Sequence, residues 1–409
     1  MNIDIYDPDI YASATPYDDF ALLRRDFPVY RQIMPNGSFY WAVTRYADVV
    51  EVSRQPEKFS AEVGGVILED QSAEQLEQSK NMLLMMDPPR HSKVRKTIYP
   101  YFRPGEISRL EDRIREICIE ILTVGLARKT VEFVHDLAAQ LPAQILGELM
   151  GIPPEDRAQI NHWAEIMIGS QDPDINPSAS NAAEKTLSPN EGSVAMAMYG
   201  MEFARSRRES NRSDRDTDLG DLLLATQVDG RSMTDLEFAY FFVQLVTAGN
   251  DTTRTMISSG LLTLIEHPDQ LAALRENPHL CGSALEEILR YSPPLHYFRR
   301  TATADTQIGE QVIKAGEKVA LMYSSANRDE AVFSCPDEFD ITRSPNAHLS
   351  FGIGEHFCLG VHLARMEGRV FLEEMLNLWP KIELAGAPKR QRSNLNNALK
   401  SLPIRVAGA

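Results

Sequence analysis

The stretch from about Thr234 to Glu266 constrains this chain most, because it reads as one long helix that is apolar over most of its length. Such a helix belongs in an interior rather than on a surface. Its richest apolar run, Phe238 to Gly249, is shorter than the roughly 20 residues a bilayer span needs. The helix is therefore expected to be buried inside a helix-rich protein. At its centre the pattern breaks, since Ala248-Gly-Asn-Asp-Thr-Thr253 is polar and contains a glycine. Gly weakens a helix by about 1 kcal/mol relative to Ala. A threonine hydroxyl can also turn back to a carbonyl four residues earlier and bend the helix. Local chemistry that disagrees with its packing context often marks a functional site.

A second stretch, Phe351-Gly-Ile-Gly-Glu-His-Phe-Cys-Leu-Gly360, holds one cysteine among three glycines and leads into a further helical pattern. The glycines imply either a tight turn or the close approach of something flat. Amide donors and the N-terminus of the following helix are expected to favour the charged sulfur of Cys358. The four cysteines, Cys118, Cys281, Cys335 and Cys358, are far apart and form no CxxC pair. A disulfide framework and a zinc finger are both poor readings of that spacing. A single thiolate can serve as the axial ligand of a haem iron; the plain alternative is a buried structural cysteine in a glycine-rich turn.

The string F-G-x-G-x-H-x-C-x-G resembles the haem-binding loop of the cytochromes P-450, and Ala248-Gly249-x-Asp251-Thr252 resembles that family's A-G-x-D-T motif on the distal face of the haem. Asp87-Pro-Pro-Arg-His-Ser-Lys-Val-Arg95 resembles the D-P-P-x-H-x-x-x-R helix. Glu287-Ile-Leu-Arg290 resembles the structural E-x-x-R pair. The four motifs occur in family order and cover essentially the whole chain. The resemblance implies a mainly α fold with a small β region, one domain over residues 1–409, and haem b held between the long central helix and the Cys loop. It implies Cys358 as the iron ligand, with Phe351, Gly360, Ala248 and Gly249 around the cofactor. His91, Arg95, Arg300 and His356 would bind its propionates, with Arg299 competing with Arg300, and with a turn residue the other reading of His356. Asp251 and Thr252 would deliver protons. Glu338 stands where many relatives have the arginine of P-E-R-F, and Arg343 is the candidate to complete the Glu287/Arg290 network.

The remaining elements read as follows. Thr15-Pro16 looks like the cap and first residue of a helix through Phe20, Leu22 and Leu23. Asn36-Gly37 between two strand-like runs predicts a hairpin. Helical patterns follow at about 46–54, at Ile107 to Val124, Ala138 to Met150 and Pro154 to Ile168, near Pro278, and after Cys358 as far as Leu378. Residues 171–193 read as a long mobile loop and Arg208 to Asp218 as another. Short strands are expected at 298–302, 307–308, 312–313 and 318–322. Asn394 to Leu399 reads as a hairpin end able to reach a pocket.

Residues 60–85 have no clean period, which suits a substrate-contacting loop or plain surface irregularity. The apolar candidates for a substrate pocket are Val66, Ile67, Leu83, Leu245, Leu295 and Phe298. They suit a hydrophobic molecule of steroid, terpenoid or lipid type. A net charge of −16 disfavours nucleic acid and anionic membranes. The acidic N-terminus reads as neither signal peptide nor anchor, so a cytoplasmic monomer is expected.

Between Arg90 and Arg115 eight basic residues face three acidic ones, the expected docking patch for a separate [2Fe-2S] ferredoxin. The resulting reading is an O2-using monooxygenase. Its rivals are a haem-thiolate peroxygenase, dehydratase or isomerase, a haem sensor or carrier, and a helical interaction protein without cofactor.

Overall fold

A computed structural model describes residues 3–176, 189–210 and 218–407. The central helix spans Asp235–Glu266 as one unbroken element. Thr234 and Glu237 form a reciprocal capping box at its start, which satisfies donors that a helix N-terminus otherwise leaves open. Helices Gln140–Met150, Pro154–Ile168, Pro189–Glu209, Cys281–Tyr291 and Val361–Leu378 pack around it.

Its two halves enter different cores. Phe238 to Val246 pack with Met150, Ile160, Phe203 and Leu223. Met256 to Leu264 pack with Ile117, Leu285, Phe371 and Trp379. The polar motif falls between these cores. Helix Pro189–Glu209 comes close enough that a Cβ on Gly200 would sit 3.0 Å from Ala239 Cα, so this crossing requires glycine.

The β region is a five-stranded sheet in the spatial order Val29–Ile33, Phe39–Val43, Lys318–Met322, Tyr297–Ala302 and Phe59–Ser60. Lys318–Met322 runs parallel to Phe39–Val43, and the other pairings are antiparallel. Strand Lys318–Met322 lies between two neighbours and is buried throughout, as its near-continuous apolar run requires. The Asn36-Gly37 hairpin forms as expected, with Gly37 at φ +81°. No helix among the described residues is long and apolar enough to cross a membrane.

Several expectations need correction. Pro16, not Thr15, is the cap of the helix at Tyr17–Asp26, and a short helix at Pro8–Ser13 precedes it. The long helix expected from Ile107 begins at Glu111, after a short helix Pro104–Ile107 and a tighter turn Ser108–Leu110. Pro278–Leu280 is also a tight turn, and the helix proper starts at Cys281.

Residues 60–85 are not wholly irregular. Ser72 and Gln75 cap a helix at Ala73–Ser79 that lacks apolar periodicity because it is mostly polar. The loop read at 171–193 also divides. Residues 171–176 are tied down through buried Asp172, which accepts from Lys400 Nζ at 3.2 Å and from Arg392 N at 2.9 Å. Residues 177–188 lie outside the described residues, and a helix begins at Pro189. That helix also takes in Arg208 and Glu209 of the second expected loop, of which 211–217 lie outside the described residues.

Candidate functional site

The seam between the two cores leaves the middle of the central helix open. Ala248 is exposed and Gly249 and Thr252 are half-buried, in the middle of a helix most of whose apolar residues are buried. A Cβ added to Gly249 would meet only Leu146, at 3.5 Å. Thr252 Oγ1 donates to Ala248 O at 2.7 Å and Thr247 Oγ1 to Val243 O at 2.7 Å, the back-bonding that the threonines suggested.

Asp251 points away from open solvent and is buried in an ion pair with Arg254. Burial pushes its carboxyl up, while Arg254 opposes the shift. Arg254 also lies 3.5 Å from Glu165, which is 3.4 Å from His135 near the surface. Sequence reasoning missed Arg254, although its i, i+3 spacing from Asp251 was the available signal.

The Cys loop supports both readings of its glycines. Gly352 and Gly354 take φ of +69° and +76°, which a tight turn requires. Gly360 has nothing within 4 Å of an added Cβ, so space lies open there. Cys358 N donates to Phe351 O at 2.9 Å, and Arg365 stacks 4.9 Å above the Phe351 ring. Burial pushes the Cys358 thiol up, while the Gly360 amide, Arg95 and Arg365 pull it down, the amide donor being the kind of partner the loop was expected to supply.

Basic groups from three segments meet here. The His91 and His356 rings lie 4.4 Å apart, and His91 Nδ1 and His356 Nε2 are buried without hydrogen-bond partners. His91 is held down to about 4 and His356 to about 2, first by burial and then by neighbouring cations; Arg95 and Arg300 act on both. Arg300 is buried, and its one side-chain hydrogen bond among the described residues goes to Arg299 O at 2.8 Å. Arg95 makes no hydrogen bond or ion pair among the described residues. The nearest acid, Glu355, is half-exposed and 3.8 Å from His91.

Arg299 is engaged elsewhere, paired with Asp70 at 3.0 Å and donating to Ile67 O at 3.3 Å. The geometry therefore favours Arg300 in this cluster. Buried cations without acids cost free energy unless an anion joins them. A guest with two carboxylates fits this arrangement.

Behind this cluster the fold is locked at Glu287. Its carboxylate accepts two bonds from Arg290 at 2.8 Å, Arg343 Nε at 3.1 Å, Asn346 Nδ2 at 3.0 Å and the Asp340 amide at 3.0 Å. Arg343 thus occupies the place sought for it. Glu338 contributes its carbonyl to Arg290 at 2.9 Å and to Arg343 at 3.1 Å, so its side chain need not be basic.

The pocket candidates assemble in part. Leu83 and Leu245 share one cluster, and Val66, Ile67 and Phe298 share a second, with Met82 packed against both. Gln244 Oε1 accepts from Leu84 N at 3.1 Å, a polar contact in this apolar surround that sequence reasoning overlooked. Leu295 stands outside both clusters and instead pairs with Asn396 of the C-terminal hairpin.

The basic stretch from Arg90 to Arg115 is largely neutralised. Lys93 pairs with Asp229 at 2.8 Å, Arg109 with Glu106 at 2.9 Å, Arg113 with Glu148 at 2.7 Å and Arg115 with Glu373 at 2.8 Å. Arg95 faces the Cys loop. Lys96 and Arg103 remain without an ion pair among the described residues.

Glu367, nine residues beyond Cys358, was also missed. It is buried, with Thr253 Oγ1 donating to it at 3.4 Å, and burial pushes its carboxyl up to about 8.

The cytochrome P450 family model matches residues 194–380 of this chain. The linalool 8-monooxygenase of Pseudomonas putida is 36% identical over 98% of both chains. The steroid C26-monooxygenase of Rhodococcus jostii (strain RHA1) is 34% identical, over 98% of this chain and 84% of that one. A Mycobacterium marinum cytochrome P450 solved with pseudoionone superposes with a TM-score of 0.90 at 37% identity, covering 99% of this chain and 98% of that one.

Glu367 yields a pH prediction. The folded state keeps a proton up to about pH 8 that the unfolded chain releases near 4.5, so this group withdraws stability as pH rises through that window. Glu367→Gln should match the wild type at pH 4.5 and exceed it at pH 8.5 by on the order of 2–4 kcal/mol. Denaturant unfolding of both proteins at the two pH values is the measurement, and parallel stabilities would refute it.

Proposed function

The chain belongs to the cytochrome P450 family and is a monooxygenase with haem b on a cysteine thiolate; from that premise we propose that Cys358 is the iron ligand and that the substrate is a hydrophobic isoprenoid, a terpenoid or a steroid. The observation that carries the site assignment is the cluster of basic groups beside Cys358, in which Arg95 and Arg300 have no ion pair among the described residues and two histidine ring nitrogens lack hydrogen-bond partners. When bound, the haem supplies activation of O2 at a thiolate-ligated iron.

His91, Arg95, Arg300 and His356 hold the two propionates. An anionic guest turns their mutual repulsion into attraction and gives the orphaned ring nitrogens partners. Gly249, Ala248 and Gly360 leave room for a flat group, and Phe351 closes the loop beneath it. Glu287, Arg290 and Arg343 act at a distance by fixing the segment that leads into the loop.

Thr252 and Asp251 manage protons. Thr252 donates its hydroxyl hydrogen to Ala248 O, which leaves its oxygen free to accept from a water or a substrate hydroxyl in the seam. Asp251 carries a proton on its carboxyl when Arg254 shifts toward Glu165, a partner already 3.5 Å away. The pocket walls of Val66, Ile67, Leu83, Leu245 and Phe298 exclude water and hold an apolar body, and Gln244 offers one polar anchor. The names of the relatives, which act on linalool and on a steroid, support this substrate class.

Electrons come from a separate [2Fe-2S] ferredoxin. Most of the basic stretch is internally paired, so Lys96 and Arg103 are the docking contacts that remain available.

Three measurements test this reading. The reduced protein with carbon monoxide should show the red-shifted Soret band of thiolate ligation, and Cys358→Ser should lose it; a band at the position typical of histidine ligation would overturn the assignment. Thr252→Ala should keep electron consumption within about twofold while diverting most of it to hydrogen peroxide; because one proton-transfer group contributes roughly 10²–10⁴-fold, unchanged coupling would remove Thr252 from the mechanism. Lys96→Glu combined with Arg103→Glu should slow reduction by a ferredoxin about tenfold or more at low salt and less at high salt. An unchanged rate at low salt sinks the docking assignment.

A further inference from the structure

A cleft of about 700 Å³ opens away from the haem site, between the N-terminal segment Ala12 to Tyr17, the C-terminal half of the central helix and the strands at 388–400. Its helical wall includes Ser259 and Thr263. These lie seven and eleven residues beyond Thr252, so the cleft sits roughly 10–16 Å along the helix from the open seam. None of the groups assigned to the haem lines it.

The chain carries a net charge of −16, yet four basic side chains, Arg328, Lys389, Arg390 and Lys400, line the cleft against two acidic ones, Asp174 and Glu266. Asp174 is already spent on Lys400. Glu266 is exposed and makes no ion pair among the described residues.

Arg390 is the central group. Its Nε donates to Tyr11 O at 3.0 Å, and its Nη2 donates to Thr15 Oγ1 at 3.3 Å and to Asn397 Oδ1. All three partners are neutral. Nη1 donates to no described residue, and no described carboxylate bonds to the guanidinium, on which Glu266 acts only from a distance. Burial accordingly pushes Arg390 below its ordinary value. The three bonds fix the plane of the guanidinium while leaving one edge unused, which is how a preorganised anion receptor is built.

Lys389 is exposed and without an ion pair among the described residues. Arg328 is clamped between the Tyr17 and Tyr291 rings, at 3.7 and 4.1 Å, and neutralised by Asp337 at 2.8 Å. It therefore presents a flat aromatic and cationic wall rather than a free charge.

We propose that this cleft is an accessory binding site for a small organic carboxylate, which places its carboxylate on the free edge of Arg390 and Lys389 and its flat or apolar body against Tyr17 and Leu262. A bare inorganic anion would leave most of the cleft empty, and a neutral molecule would leave Arg390 unpaired.

Benzoate is the probe, with benzamide as its neutral counterpart, each titrated calorimetrically into the haem-loaded protein while the absorption spectrum is followed. Benzoate should bind at one saturable site without moving the Soret band, and benzamide should bind at least tenfold more weakly. Arg390→Ala would unseat Tyr11, Thr15 and Asn397, so the decisive variant is the surface substitution Lys389→Glu. It should weaken benzoate at least tenfold with the Soret spectrum and unfolding midpoint unchanged. The proposal is overturned by no saturable benzoate binding, by equal affinity for benzamide, by binding that shifts the Soret band, or by an unaltered affinity in Lys389→Glu.

Discussion

The structure depends on a charge imbalance at its centre. His91 and Arg95 come from one helix, Arg300 from a strand and His356 from the Cys loop, and among the described residues they converge with only the half-exposed Glu355, 3.8 Å from His91, as an ion-pair partner. Like charges in a low-dielectric space repel, and each also pays the cost of desolvation. Here that cost shows as two histidines held neutral and two arginines pushed below their ordinary range. In the proposed function the propionates of haem b would resolve the imbalance. Folding and cofactor retention are therefore linked, because the guest stabilises the assembled state and not the unfolded chain.

The surrounding architecture serves that centre. The Glu287 carboxylate, with its donors from Arg290, Arg343, Asn346 and Asp340, joins the helix Cys281–Tyr291 to the segment that delivers the Cys loop. The five-stranded sheet sets the register that turns Arg300 inward while Arg299, on the opposite face, reaches Asp70. The central helix contributes its interruption rather than its continuity. By joining two separate cores it leaves one short polar stretch that neither core covers, and that stretch holds Thr252 and Asp251.

Much of this was legible in the chain because the signals were local. The Cys loop and the A-G-x-D-T stretch are each written within about a dozen residues, and the central helix shows as one long apolar pattern. What went unread failed for particular reasons. The helix Ala73–Ser79 is polar and has no apolar stripe to mark it. Glu367 looks like an ordinary helix acid until Met256, Leu285 and their neighbours bury that side of the helix. The basic stretch from Arg90 to Arg115 counted as a positive patch, but Glu148, Glu373 and Asp229, far along the chain, neutralise it.

Taken alone, the sequence determined the family, and it singled out Cys358, Asp251 and Thr252 as the candidates proposed for iron ligation and proton handling, since each is marked by residue type at fixed local spacing. Tertiary structure decided which of two adjacent arginines joins the cluster, because Asp70 claims Arg299 from 229 residues away. It decided that Arg343 completes the Glu287 network, that Arg254 holds Asp251, and that Arg390 faces an open cleft with no ion pair among the described residues. Each outcome turns on whether a charge finds its counter-charge, and for all but the Asp251–Arg254 pair that depends on which distant segments packing brings together.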